Sequence, residues 1–357
     1  MQGNERKGAG TMHVLVTGAT GFVGSHITRA LIDAGHQVRL MVRLPERIAP
    51  ALGPLGIPES LPYVIGDITD PAAVGRAVDG CDAVVHAASV YSLSPRSRGA
   101  ISRANVGGTQ IVLNAALEAG LDPIVHISSY GALLPPEPGA TLDTDSPTST
   151  GLGPYTASKA DAERLMRVYQ GAGNPVVTVM PGSVWGPDDP HFGESHRLAW
   201  NMLKGRMRLL NRGGALPIVD VRDVASAVAA CMTPGLGPRR YLLADELLTL
   251  PEVADLLATV AGTRRRALHV PDASRAPARA GGGSLQRAWP WRLPLSAEAI
   301  RVATTPIAGI DATRAAEDLG FAPRPLTDTV ADTVRSLSTT GRIGREAGRL
   351  TIDGAAG

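Results

Sequence analysis

Tyr155 and Lys159 stand four residues apart in Tyr155-Thr156-Ala157-Ser158-Lys159, so a helix through them sets a phenol and an ammonium on one face. An ammonium close to a phenol favours the ionised form, and the pair predicts a Tyr155 pKa below the ordinary value of about 10. A phenol tuned in this way can give a proton to a developing alkoxide, or take one in reverse. Two hydroxyls that could hold the same oxygen, Ser128 and Ser129, close the apolar run Ile124–Ser129. The second chemical signal is Thr17-Gly18-Ala19-Thr20-Gly21-Phe22-Val23-Gly24, a G-x-x-G-x-x-G. Glycine belongs where a chain turns sharply, where backbone must approach a pyrophosphate, and where a helix packs tightly on a sheet. The helix that follows offers free N–H groups and the positive end of its dipole to phosphates, so Gly18, Thr20, Gly21, Phe22, Val23 and Gly24 are expected to line a dinucleotide.

These groups need a scaffold, and the first half of the chain provides one. Short runs rich in Val and Ile occur at His13–Thr17, Gln37–Arg43, Tyr63–Asp67, Ala83–Ala88, Ile124–Ser129 and Val176–Met180. Near-continuous apolar runs of this length read as strands buried on both faces of a parallel sheet. Between them lie helix-like segments: Val23 to Ala34 with Gly35 as its stop signal, Ala72–Val78, Ile101–Ala119 and Tyr155–Gln170. Strand and helix in strict alternation predict an α/β fold with a Rossmann-type, doubly wound parallel sheet. Asn105 falls mid-helix, where asparagine is unfavourable, which predicts a buried structural hydrogen bond to a strand.

Beyond Gly182 the alternation loosens. Helices are expected at Ser195–Lys204, Asp223–Met232, Pro251–Val260 and Leu326–Leu337, and strands near Pro217–Val221, Arg240–Ala244 and Ala267–Val270. Pro271–Gly283, rich in Ala, Pro, Arg and Gly, reads as a mobile loop. The expected organisation is a disordered tail over 1–11 and a dinucleotide-binding domain over 12–186. A smaller, mainly C-terminal substrate-binding region follows over 187–338, with return elements of the Rossmann domain near 216–232, and a flexible tail covers 339–357. His191 and His196 lack a paired carboxylate in sequence and read as polar groups of a loop or lid; no metal site is expected.

Composition narrows the function classes. Among 357 residues, Lys and Arg (35) nearly balance Asp and Glu (33), and Trp (4), Tyr (6) and Phe (3) are few, which argues against a nucleic-acid surface. Cys81 and Cys231 lie far apart with no CxxC, as expected for a reducing compartment. No apolar run reaches 18 residues, so no membrane role is expected, and a cytoplasmic location is.

The glycine spacing resembles that of the extended short-chain dehydrogenase/reductase family. Further parts of that pattern follow in order: Gly66-Asp67-Ile68-Thr69-Asp70, Val85-His86-Ala87-Ala88-Ser89, Asn105-Val106-Gly107-Gly108-Thr109, Ile127-Ser128-Ser129, the Tyr155–Lys159 pentad, and Pro181-Gly182-Ser183-Val184-Trp185-Gly186-Pro187. The resemblance is specific to about residue 190. It implies that Asp67 and Ile68 flank an adenine, that Ala87, Ala88 and Ser89 lie along the middle of the cofactor, and that Pro181 and Val184 face the nicotinamide. It also implies that Ser129 rather than Ser128 holds the substrate oxygen, that Ser128 faces the cofactor, and that Lys159 holds the nicotinamide ribose. A homodimer through Ile101–Ala119 and Tyr155–Gln170 is implied likewise.

Within the family, Arg43 ends the second run where an acid would bind the ribose 2′-hydroxyl of NAD. An arginine there can pair with a 2′-phosphate, which favours NADP(H). Tyr130-Gly131 occupies the place of the Asp-Glu pair of sugar 4,6-dehydratases, and Gly131-Ala132-Leu133-Leu134 departs from the epimerase pattern. Val38–Arg43 with Ser128-Ser129 looks more like the dihydroflavonol reductase, cinnamoyl-CoA reductase and 3β-hydroxysteroid dehydrogenase branch. That branch interconverts a carbonyl and an alcohol on bulky, apolar molecules, and Val90–Ser94, Tyr130–Leu134 and Val184–Phe192 carry side chains suited to them. The alternatives are a sugar epimerase that returns its hydride and a non-catalytic dinucleotide sensor.

Overall fold

The computed structural model describes residues 10–90, 98–207, 209–210, 213–263, 268–269 and 296–344. The expected loop Pro271–Gly283, and residues 91–94 of the segment expected to face substrate, lie outside the described residues. Strands β1 (His13–Thr17), β2 (Gln37–Val42), β3 (Tyr63–Ile65), β4 (Ala83–His86), β5 (Ile124–Ile127) and β6 (Val176–Pro181) match the six apolar runs. With β9 (Arg239–Leu243) they form a seven-stranded sheet in the order β9-β6-β5-β4-β1-β2-β3, every neighbouring pair parallel. This is a Rossmann-type doubly wound sheet. The order reverses between β1 and β4, and the crevice beyond the carboxyl ends of those two strands is where such sheets hold ligands.

Burial on both faces explains the continuous apolar runs of the inner strands, while β3, at the sheet edge, leaves Tyr63 and Ile65 exposed. Val14 and Val16 of β1 pack with Val125, Ile127, Val177 and Val179 beneath α1 (Phe22–Asp33), while Leu15, Val84 and Ile124 face α2 (Pro71–Val78) and α3 (Thr109–Glu118). All of these but Ile127 are fully buried, and burying one such side chain contributes roughly 1.5–3 kcal/mol. Local signals set the helix starts. Asp70 caps α2 by accepting from the Ala72 N–H, with Pro71 in the first turn, and Gly153-Pro154 opens α4 (Pro154–Gly171).

The remaining elements build a second body. Strands β7 (Ser183–Trp185), β8 (Ala215–Asp220) and β10 (Leu247–Thr249) make a three-stranded sheet with β8 central. It packs with α5 (Glu194–Leu203), α7 (Leu250–Val260) and α10 (Leu326–Thr339) around Trp185, Ile218, Leu257 and Val334. Helix α6 (Val221–Ala230) lies against α1 and seats Val224 and Val228 in the core beneath it. Two short helices, α8 (Ala297–Ala303) and α9 (Thr313–Leu319), lie in the C-terminal part. Among the described residues no helix is long and apolar enough to cross a membrane.

The structure corrects several expectations. The strand near 216 does not return to the main sheet; only α6 does that work, and β9 supplies the seventh strand. The segment 101–119 is not one regular helix: a helix over Arg98–Ser102 passes into a π-helical stretch, Arg103–Gly108, before α3 begins. The expected flexible tail does not begin at residue 339, because α10 runs to Thr339 and Ile343 is buried in the second body's core. That core needs the apolar area.

Candidate active site

The glycine loop leaves β1 at the reversal point and is shaped by contacts no side chain could share. Gly18 has φ +76°, and a Cβ there would lie 2.5 Å from the backbone nitrogen of Ala88. A Cβ on Gly24 would lie 2.1 Å from the carbonyl oxygen of Gly18. The Gly21 N–H closes the turn on that same oxygen at 2.9 Å, and α1 starts at Phe22 with a glycine N-cap that leaves its first N–H groups without a side-chain partner. A cradle this bare fits a pyrophosphate at a helix N-terminus. Thr17 joins the two loops from below, its backbone oxygen accepting from the Ala87 N–H at 3.1 Å and its hydroxyl from the Ala88 N–H at 3.3 Å.

At the far end of this crevice the structure brings together two residues expected to contact the adenosine end. The Arg43 guanidinium lies 3.7 Å from the Asp67 carboxylate, both exposed. Burial works against ionisation of Asp67, yet hydrogen bonds from Thr69 and the charge of Arg43 hold its carboxyl below the usual carboxylate range. Ile68 packs on Gly108, where a Cβ would meet its side chain at 2.8 Å. Ser89 is exposed at the end of the β4 loop. Val184, on β7, is partly buried and Pro181 closes β6.

The groups expected to react sit beyond β5. Ser129 lies two residues past the strand and caps a short 3₁₀ turn, Tyr130–Leu133, its hydroxyl accepting from the Gly131 N–H at 3.1 Å. The same hydroxyl interacts with the phenol of Tyr155 on α4. One turn further along α4, the Lys159 ammonium is buried, donates to the Ile127 carbonyl at 3.1 Å, and lies 6.0 Å from the Tyr155 ring centre. Asn105 makes buried structural bonds, but to a loop and a helix rather than to a strand: it bonds both backbone groups of Val90, at 2.7 and 3.1 Å, and the Ser158 hydroxyl at 3.0 Å, tying the β4 loop to α4.

Electrostatics overturn one expectation. Burial, and then the carboxylate of Glu298, push the Tyr155 phenol well above the ordinary range, and the contact with Ser129 offsets only part of this. Lys159 does not depress it. Its own pKa falls to about 8 through burial, opposed by Glu163. Glu163 follows Lys159 by four residues on the same helix face and was legible by that spacing. It is fully buried, paired with Arg167 at 3.2 Å, and burial raises its pKa.

Ser128 is also corrected: its hydroxyl is buried toward Glu163 rather than presented to the cleft. Behind the site, His86 bridges the hydroxyls of Thr17 and Thr109 at 2.7 and 2.9 Å and stacks on His126 at 5.4 Å. His196 is not a lid group. It is buried 3.3 Å from Asp189 and meets the Phe22 ring edge-on, while His191 is exposed. Among the described residues no group of three His, Cys, Asp or Glu side chains is placed to hold a metal.

A glycine loop at the reversal point of a parallel sheet, with a Ser–Tyr–Lys constellation at the carboxyl end of a neighbouring part of that sheet, defines the class of site. The profile of the NAD dependent epimerase/dehydratase family matches residues 14–244, and the chain belongs to that family. It is 30% identical to Sterol demethylase protein B of Methylococcus capsulatus over 93% of this chain and 100% of that protein. It is 32% identical to a "Putative dihydroflavonol 4-reductase" of Synechocystis sp. over 69% of this chain and 72% of that one. The crystal structure of gox2253 superposes with a TM-score of 0.77 at 29% identity, covering 92% of this chain and 99% of that one.

Proposed function

We propose that the protein is an NAD(P)-dependent oxidoreductase that reduces a ketone or aldehyde, or oxidises the alcohol, of a bulky and mostly apolar small molecule. The observation that carries the reading is the meeting of Ser129, Tyr155 and Lys159 at the carboxyl end of β5, in a sheet whose β1 ends in the glycine loop. The names of the similar proteins, a sterol enzyme and a flavonol reductase, support the substrate class. A bound nicotinamide dinucleotide supplies two-electron redox capacity. Gly18, Thr20, Gly21, Phe22, Val23 and Gly24 would hold its pyrophosphate, Arg43, Asp67 and Ile68 its adenosine end, Ala87, Ala88 and Ser89 its middle, and Pro181 and Val184 its nicotinamide. NADP(H) is favoured over NAD(H) because Arg43 offers a cation and no acid stands at Leu40–Leu44.

In this reading Tyr155 carries its proton at neutral pH and gives it to the substrate oxygen, which Ser129 holds through a hydrogen bond. Lys159 is fixed by the Ile127 carbonyl and positions the cofactor ribose. Residues 12–186, with α6 and β9, form the cofactor domain and the rest of 187–338 the substrate region, and the protein pairs as a homodimer through the outer faces of α3 and α4.

NADPH consumption with a panel of ketosteroids, flavanonols and aryl aldehydes tests the function. On a substrate so found, Tyr155→Phe should slow turnover roughly 10²–10⁴-fold, the usual worth of a positioned acid. Ser129→Ala should lower turnover with cofactor binding kept, and Lys159→Ala should damage both. Near-full activity in Tyr155→Phe would overturn the assignment of the acid. Bound cofactor without net consumption would point to the epimerase alternative, and binding without turnover to the sensor.

A further inference from the structure

Helix α8 belongs to the C-terminal region, yet it holds the first turn of α4 at two points. Glu298 is 3% exposed, and its Oε1 accepts from the Thr156 N–H at 2.8 Å and from the Thr156 hydroxyl at 2.8 Å. Its Oε2 accepts from the Tyr155 N–H at 3.3 Å. Arg301, on the same helix, donates to the Leu152 carbonyl at 2.7 Å. Room for the carboxylate comes from Gly153, where a Cβ would lie 2.4 Å from Cδ of Glu298. A carboxylate is well placed at a helix N-terminus, because it satisfies free N–H groups and complements the dipole.

We propose that Glu298 is a positioning residue for Tyr155: it brings a negative charge from the C-terminal region to the turn that bears the phenol, and so couples the seating of that region to the proton chemistry of the site. The inference rests on Tyr155 being the acid. The groups facing the phenol are the Ser129 hydroxyl, the Tyr130 phenol, the Glu298 carboxylate and, across the ring, the Lys159 ammonium. Of these, Glu298 opposes ionisation by charge, in agreement with the direction in which the phenol is pushed. With α8 seated, Tyr155 keeps its proton and serves carbonyl reduction. With α8 displaced, the phenol ionises more readily and that bias weakens.

The test reads the phenol itself, in the full chain labelled with ¹³Cζ-tyrosine, with Tyr155→Phe assigning the resonance. In the wild type the Tyr155 signal should stay constant to pH 11. In Glu298→Gln, which keeps the shape and an acceptor, it should titrate about 1 unit or more lower and move within that range. Gly153→Ala, which displaces the carboxylate from the other side, should do the same and serves if Glu298→Gln does not fold by circular dichroism. A folded variant with lower thermal stability and a Tyr155 signal unchanged from wild type would overturn the proposal, because the carboxylate would then be a cap and nothing more. The readout is independent of turnover, so absence of reductase activity would sink the proposed function and leave this result standing.

Discussion

In the proposed reading, cofactor choice turns on Arg43. Its side chain is exposed and leans on Asp67, so in that reading it is held near a 2′-phosphate without being locked there. NADPH should bind more tightly than NADH, and Arg43→Ala should remove much of the gap. A charge-assisted contact is worth roughly 1.5–3 kcal/mol, or about ten- to a hundredfold in affinity. Fluorescence titration of both dinucleotides checks it, and equal affinities in the unaltered protein would refute it. At this scale the sequence was informative about which residues meet and less so about their charge states. The four-residue spacing brought Tyr155 and Lys159 onto one face, but spacing says nothing about burial, and burial decided both pKa values. Glu298 could not be read at all, since it reaches Tyr155 across 143 residues of chain and carries no local motif.

Elements were legible where periodicity speaks alone. Most of the runs became strands because strands buried on both faces tolerate little but Val, Ile and Leu, whereas β3 lies at the sheet edge with Tyr63 and Ile65 exposed. The break at Arg103–Gly108 was hidden, since apolar spacing looks nearly the same through one π-turn. The outer side of α4 also bears a consequence. Val168 is 69% exposed there, beside the Tyr169–Asn114 hydrogen bond that joins α4 to α3. If the protein pairs through these helices, Val168→Asp should place two carboxylates in an apolar contact and shift the assembly toward monomer. Sedimentation equilibrium measures this, and an unchanged mass would show that pairing, if present, uses another face.

For the molecule as a whole, buried histidines set the response to acid. His26 is buried between Phe22 and the Pro187 carbonyl, and burial lowers its pKa to about 4; His86 falls to about 3, and His126 and His196 fall as well. A folded-state value below the unfolded 6.5 means that protons favour the unfolded chain. The stability contribution is full above pH 6.5 and is lost as pH falls toward 4. For His26 the loss at pH 5 is roughly 2 kcal/mol. Glu163 and Glu194, whose pKa values are raised by burial, act in the opposite sense above pH 4.5, so a single variant isolates the effect. In His26→Gln the urea midpoint should fall less between pH 7.5 and pH 5 than in the wild type, and an equal fall in both would refute the assignment.

The close approach of Gly18 to Ala88 has a further meaning for redesign. Where two loops touch backbone to backbone, the floor of the cradle offers no side chain to exchange, and any substitution there deforms it. In the proposed reading, retargeting this protein to another dinucleotide is therefore a problem of its rim, at Arg43 and Asp67, where side chains are exposed.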